Sequence, residues 1–143
     1  MLKKAILKKG KEEAIARKHP WIFSGAIQSM DPCNSGDLIE ITNYKGNFCG
    51  IGYSGTGSIA LRILSFEPVS IDTAFWEQRF EQSWQLRKEL QLGLNTPTNA
   101  YRLIHGEGDG IPGLIIDIYE KTAVIQAHTD GIFEQLQPIA DAL

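Results

Sequence analysis

Arg102-Leu-Ile-His-Gly-Glu-Gly-Asp-Gly-Ile-Pro-Gly-Leu-Ile-Ile-Asp-Ile-Tyr119 decides how the second half of the chain is read. Tyr101 to Ile104 reads as a short strand. Gly106, Gly108 and Gly110 then alternate with Glu107 and Asp109, which suits a loop that needs positive φ at several points. Pro112-Gly113 fits the two central positions of a type II turn, because proline presets φ and glycine accepts the left-handed position. Leu114 to Tyr119 follows as a second strand, apolar enough to be covered on both faces. Glu120-Lys121 makes a tight turn, and Thr122 to Gln126 returns as a third strand. The spacing thus predicts a β-meander over residues 101–126 with a long acidic glycine loop.

Gly108-Asp-Gly-Ile-Pro-Gly113 matches the dinucleotide-binding pattern G-x-G-x-x-G letter for letter. That chemistry needs a helix to open at the glycines so that its N–H groups face a pyrophosphate. A turn proline and a β-branched run follow here, and no Gly-Lys-Ser/Thr completes a P-loop, so the nucleotide reading is rejected. Glu107 and Asp109 lack the spacing of a calcium loop. Their expected role is to order the loop by a salt bridge with Arg102 or His105, or to face a neighbouring domain. No catalytic, cofactor-binding or metal-ligating set is read in the chain.

At 143 residues the chain can form one ordinary domain or two small ones. Its 43% hydrophobic and 22% charged content is that of a soluble globular protein. No apolar run approaches the roughly 18 residues that cross a bilayer, and the N-terminus lacks the apolar core of a secretory signal. Cys33 and Cys49 have neither metal-site nor redox-motif spacing and read as reduced thiols of a cytoplasmic protein. Net charge is −3, but it is unevenly spread. Residues 1–21 hold seven basic residues against two acidic ones, +5, while the remainder holds seven against fifteen, −8. A basic end on an acidic body is the asymmetry of a polyanion-contacting face, although a solvated lysine-rich terminus gives the same count.

Ala5-Ile-Leu7 is expected as a short edge strand, followed by a brief helix from Glu12 to Lys18 with Ala14 and Ile15 inward. Pro20 turns the chain at His19. Trp21 and Phe23 are expected to bury against the following sheet, and His19 to stay at the surface; the alternative is that His19 or Trp21 stacks on an unpaired base. Asp37–Thr42, Phe48–Tyr53 and Ile59–Leu64 are short strands separated by Asn43–Asn47 and Ser54–Ser58 loops, the pattern of a small β-barrel. Gly50 and Gly52 share one face of their strand, where bulk would obstruct tight curvature. Beyond the Glu67-Pro68 linker, Asp72 is a candidate N-cap for a helix over residues 73–91. Phe75, Trp76, Phe80, Trp84, Leu86 and Leu90 form its apolar sector, Arg79 and Arg87 are expected to meet carboxylates at its edge, and Gly93 is the expected terminator. A last helix over 130–143 is expected to kink or restart at Pro138. Its apolar stripe runs on to Leu143 without a cap, which reads as truncation.

These pieces carry a family resemblance. Arg17-Lys-His-Pro-Trp-Ile-Phe-Ser-Gly-Ala-Ile27, Gly-Asp-Leu-Ile-Glu-Ile, Gly-Ile-Gly-Tyr-Ser and Ile-Ala-Leu-Arg-Ile-Leu resemble, in order, the PUA segment of bacterial S-adenosylmethionine-dependent large-subunit ribosomal RNA cytosine-C5 methyltransferases. The stretch from Tyr101 resembles their middle domain. The resemblance implies an α+β chain: a PUA-like RNA-binding barrel over residues 1–68, then an incomplete middle domain over 69–143 of helix, β-meander and helix. The catalytic domain, with its cofactor seat and thiolate, would lie beyond Leu143, so this chain alone is expected to methylate nothing. Its work would be to grip ribosomal RNA through Lys8, Lys9, Arg17, Lys18, His19, Ser24 and Arg62, with S-adenosylmethionine serving only the longer parent. A stand-alone RNA-binding accessory protein and a protein-interaction module are the competing readings.

Overall fold

The computed structural model describes residues 2–93 and 95–143. They divide into two units, one of Met1–Val69 with Thr129–Gly131, the other of Ser70–His128 with Ile132–Leu143. The first is a six-stranded, curled half-barrel: β1 (Lys3–Leu7), β2 (Trp21–Phe23), β3 (Ile27–Met30), β4 (Leu38–Thr42), β5 (Phe48–Ser54) and β6 (Ile59–Ser65), in the order β2-β6-β5-β4-β1-β3. A five-residue helix, α1 (Glu12–Ala16), lies between β1 and β2. β1 is not at the edge. It pairs in parallel with β4 and antiparallel with β3, and Ala5 and Leu7 are wholly buried. A parallel pair needs a long crossover, which here carries α1, β2 and β3, so a strand that looks terminal in sequence ends up internal.

The core of this unit joins Ala5, Leu7, Ile15, Ile22, Ile39, Ile41, Leu61 and Ile63. Each fully buried isoleucine or leucine contributes ~1.5–3 kcal/mol over leaving it exposed. Trp21 and Phe23 do not enter this core. Ile22 is the inward residue of the three-residue β2, so alternation turns its neighbours outward, and Phe23 is 48% exposed. β5 and β6 meet at Gly50 and Gly52 with almost no clearance. A Cβ on Gly52 would stand 2.1 Å from the Arg62 carbonyl oxygen, and one on Gly50 would stand 2.9 Å from that of Ser65. At the β4 end of the unit, Lys3 Nζ meets Asp37 Oδ2 at 2.6 Å.

The second unit has α2 (Thr73–Glu89), an antiparallel sheet β7-β8-β9 (Ala100–His105, Leu114–Tyr119, Thr122–Ala127), and the short helices α3 (Asp130–Glu134) and α4 (Leu136–Asp141). Asp72 caps α2, its Oδ1 accepting from the Phe75 amide at 3.0 Å. Phe75, Trp76, Phe80 and Ser83 are the buried residues of α2, whereas Leu86 and Leu90 are 48% and 63% exposed. The apolar stripe therefore loses its cover over the last turns. The helix also stops before Gly93. Gln91 takes the left-handed position (φ +57°), with Leu92 N–H bonding to Arg87 C=O and Gln91 N–H to Lys88 C=O, a Schellman ending built on glutamine. The terminal helix is broken ahead of Pro138, which sits in the first turn of α4 where its missing N–H costs nothing.

Pro112-Gly113 forms the type II turn, with Gly113 at φ +82° and Leu114 N–H bonding to Ile111 C=O at 3.2 Å. β8 buries Leu114 and Ile116 fully, while Ile118 on the same face and Ile115 on the other are only half covered. Arg102 lies opposite Asp117 and donates to both of its oxygens, at 2.8 and 3.1 Å. The Arg102 hydrogen bonds hold the Asp117 carboxyl below the usual carboxylate range, and the Lys3 ammonium does the same for Asp37. With the folded-state pKa values depressed, the native state binds fewer protons than the unfolded chain. The resulting stability is full above the unfolded value near 4 and is lost as pH falls through the folded values. An Asp37→Asn/Asp117→Asn variant should show a flatter acid limb in a pH series of thermal melts; equal acid limbs would refute the assignment.

Candidate nucleic-acid interface

Every basic side chain expected to face RNA lies in the first unit, but the basic N-terminus is not uniformly free. Lys3 is tied to Asp37, and Lys4 lies 3.5 Å from Glu40. Lys8, Lys9, Lys11, Arg17 and Lys18 are exposed on the segments that flank α1. Backbone bonds fix each of those segments in place. Lys8 N–H donates to Ala26 C=O at 2.9 Å, Lys18 N–H to Ile15 C=O at 2.8 Å, and His19 N–H to Ala14 C=O at 3.1 Å. Lys8 Nζ reaches the Gly25 carbonyl at 3.0 Å, placing it beside the 3-10 turn Ser24–Ala26 and hence beside Ser24. Lys18, at φ +59°, holds its ammonium 4.7 Å from the centre of the Phe66 ring.

His19 is exposed, and its Nδ1 sits 3.2 Å from the Trp21 amide nitrogen, a bond that shapes the turn at Pro20. Arg62 of β6 lies opposite Trp21 of β2, so the two side chains share the outer face. Its guanidinium rests on the Gly55 loop, where a glycine Cβ would fall 2.5 Å from Nη1. Lys8, Ser24, His19 and Arg62 are thus gathered along the edge formed by α1, β2 and the Ser24–Ala26 turn. A cleft of about 320 Å³ opens in the same edge, bordered by Lys11, Trp21 and Phe23. In the sequence Lys11 counts only toward the basic N-terminal total, because nothing in a lysine-rich run separates the lysine at a cleft from those in open solvent.

The acidic glycine segment is organised differently from expectation. Residues Gly106–Asp109 form a 3-10 turn, and the partner of Asp109 is Arg87 of α2. Arg87 Nη1 and Nη2 meet Asp109 Oδ1 and Oδ2 at 3.0 and 2.8 Å, with side chains only 12% and 8% exposed. Asp109 also accepts from the His105 amide at 2.6 Å. Arg102 is committed to Asp117, and its Nη1 lies 3.3 Å from His105 Nδ1. Arg79 donates to the Gly110 carbonyl at 2.6 Å, and burial lowers its guanidinium pKa. Asp109 therefore orders the loop from inside the unit, while Glu107 stays exposed.

The Gly108–Gly113 run leads into β8, so no helix N-terminus opens at these glycines. Among the described residues no group of three or more His, Cys, Asp or Glu stands close enough to hold a metal ion. No described helix is long and apolar enough to cross a membrane.

Residues 5–66 match the PUA-like domain family. Over 141 residues, 96% of its length, the chain is 38% identical to a ribosomal RNA large subunit methyltransferase I of Escherichia coli, and 36% identical to that of Shigella boydii. It spans about a third of the length of these relatives, 35%. A Streptococcus mutans chain assigned as a SAM-dependent methyltransferase superposes with a TM-score of 0.82 at 20% identity, covering 99% of this chain and 37% of that one. A second such methyltransferase, solved with SAH, gives 0.81 at 19% identity. At these identities the two structures establish likeness of fold.

Proposed function

We propose that the chain is the RNA-gripping portion of an S-adenosylmethionine-dependent ribosomal RNA large subunit methyltransferase, with the first unit as the gripping surface. The observation that supports this reading is that Lys8, Ser24, His19 and Arg62 lie along one edge of a PUA-like unit, with Lys9, Arg17 and Lys18 exposed on the segments that flank α1. Lys3 and Lys4, by contrast, are neutralised by Asp37 and Glu40. The 38% identity to a ribosomal RNA large subunit methyltransferase I supports ribosomal RNA as the polyanion. On the sequence resemblance, the parent would methylate a 23S cytosine at C5 in the cytoplasm, using a catalytic domain outside this chain. The residues present would only hold and position the RNA. Their ammonium and guanidinium groups would neutralise phosphates and release counterions, and His19 and Ser24 would fix register by hydrogen bonds.

Charge reversal to Glu at Lys8, Lys9, Arg17 and Lys18 together is expected to lower RNA affinity by about a hundredfold or more near 0.1 M salt. The slope of log K against log salt should flatten by about 3 for a single strand. Fluorescence anisotropy with ribosomal RNA fragments across a salt series measures both. Unchanged affinity and slope in the quadruple variant would remove this edge as the contact surface. The same loss after reversing Lys3 and Lys4 instead would also remove it.

A further inference from the structure

We infer that the cleft between α1 and β2 accepts one unstacked nucleobase of a single-stranded RNA segment, with its phosphates held by Lys8 and Lys11. The inference rests on the RNA-gripping reading and adds to it which feature of the RNA is read. The cleft measures about 320 Å³. That lies at the small end of ligand pockets (~300–1,000 Å³), suited to one base with its sugar and not to a dinucleotide. Ala14 and Ile15 of α1 supply an aliphatic wall, and Trp21 and Phe23 of β2 supply an aromatic one. Lys11 stands at its rim, and Lys8 Nζ lies on the Gly25 carbonyl at the same rim. No carboxylate is among the lining residues. An apolar, aromatic slot under cations matches a flat π-face carrying a phosphate.

Phe23 is 48% exposed, so its ring adds little to the core. Gly25 has no structural reason to be glycine. Among the described glycines of the first unit, Gly10, Gly36, Gly46 and Gly57 have positive φ, and Gly50, Gly52, Gly55 and Gly131 meet neighbours that a Cβ would strike. Gly25 has neither property; a Cβ there would meet nothing within 4 Å. As a lining residue without a side chain, it adds no bulk to the cleft. Stacking of one base on an exposed aromatic explains both positions at once.

The test uses the whole chain with three fluorescent probes of about ten nucleotides, within the range of such sites: a single strand, the same strand with abasic central positions, and a duplex. The wild type should prefer the intact single strand. Phe23→Ala should weaken single-strand binding roughly tenfold, while duplex binding moves by less than about twofold. Gly25→Leu should reproduce that loss by narrowing the cleft, and its melting temperature should match the wild type because a Cβ there meets nothing within 4 Å. The salt slope should stay unchanged in both variants, which separates them from the lysine reversals. If both variants bind the single strand as the wild type does, or if abasic and intact strands bind alike, the base slot is wrong while the basic edge stands. If no probe binds with a salt slope, both readings fall. An acidic, phenylalanine-containing peptide whose binding alone is lost in Phe23→Ala would assign the cleft to polypeptide and overturn the inference.

Discussion

Gly52→Ala is expected to destabilise the first unit by about 3 kcal/mol or more, at or above the top of the usual range for overpacking. The added methyl would lie 2.1 Å from the Arg62 carbonyl oxygen, 2.8 Å from its carbonyl carbon and 2.9 Å from Ile63 Cα. All three are backbone atoms, so no rotamer change relieves the collision; β5 and β6 must part. They cannot part cheaply, because the pairing shifts register between Ile51 and Gly52 and the flanking Ile51, Tyr53, Leu61 and Ile63 are buried. A loss of that size should lower the melting midpoint by about 10 °C or more. Gly25→Ala is the matched control, since the new Cβ meets nothing within 4 Å and the backbone there is not left-handed. Circular dichroism melts of the two variants decide the matter. A Gly52→Ala protein melting beside the control would mean that the β5–β6 approach is not as close as described.

Arg87→Ala should cost about 3–5 kcal/mol, the range for stripping one partner from a buried ion pair. The loss has three parts. Two parallel bonds to Asp109 disappear, the Nε bond to the Arg102 carbonyl at 3.0 Å disappears, and the Asp109 carboxylate stays 92% buried without its counter-charge. The His105 amide at 2.6 Å and Ser83 Oγ at 3.5 Å are the remaining donors, too few for a desolvated charge. Arg87→Lys should recover only part of the loss, because an ammonium cannot make the two parallel bonds together with the third. Asp109→Ala in the Arg87→Ala background should add much less than it costs alone. A double-mutant cycle by urea denaturation should give a coupling above about 1.5 kcal/mol, whereas additive losses would show that the two residues act independently.

Where the sequence reading succeeded, the signal was local. Asp72 three residues before the amide it caps, Pro112-Gly113 in their turn and the short strands between glycine loops all follow from chemistry within a few residues. The fold class followed from the same punctuation, and the N-terminal charge excess pointed to the basic edge. Burial at β2 was misassigned because three residues carry too little periodicity to set their own phase. The Gln91 ending was missed because a left-handed glutamine has no signature in the sequence.

By itself, then, the sequence determined the cap of α2, the Pro112-Gly113 turn and the gathering of positive charge at one end, since each depends on neighbours in the chain. Tertiary structure alone decided that β1 lies inside its sheet, that Ile22 and not Trp21 or Phe23 turns inward, and that Arg87 rather than Arg102 holds Asp109. The physical reason is common to the three. Burial and ion pairing depend on distance in space, and the segments that meet at these points are separated by 22 residues for the Arg87–Asp109 pair and further for β1 and β4.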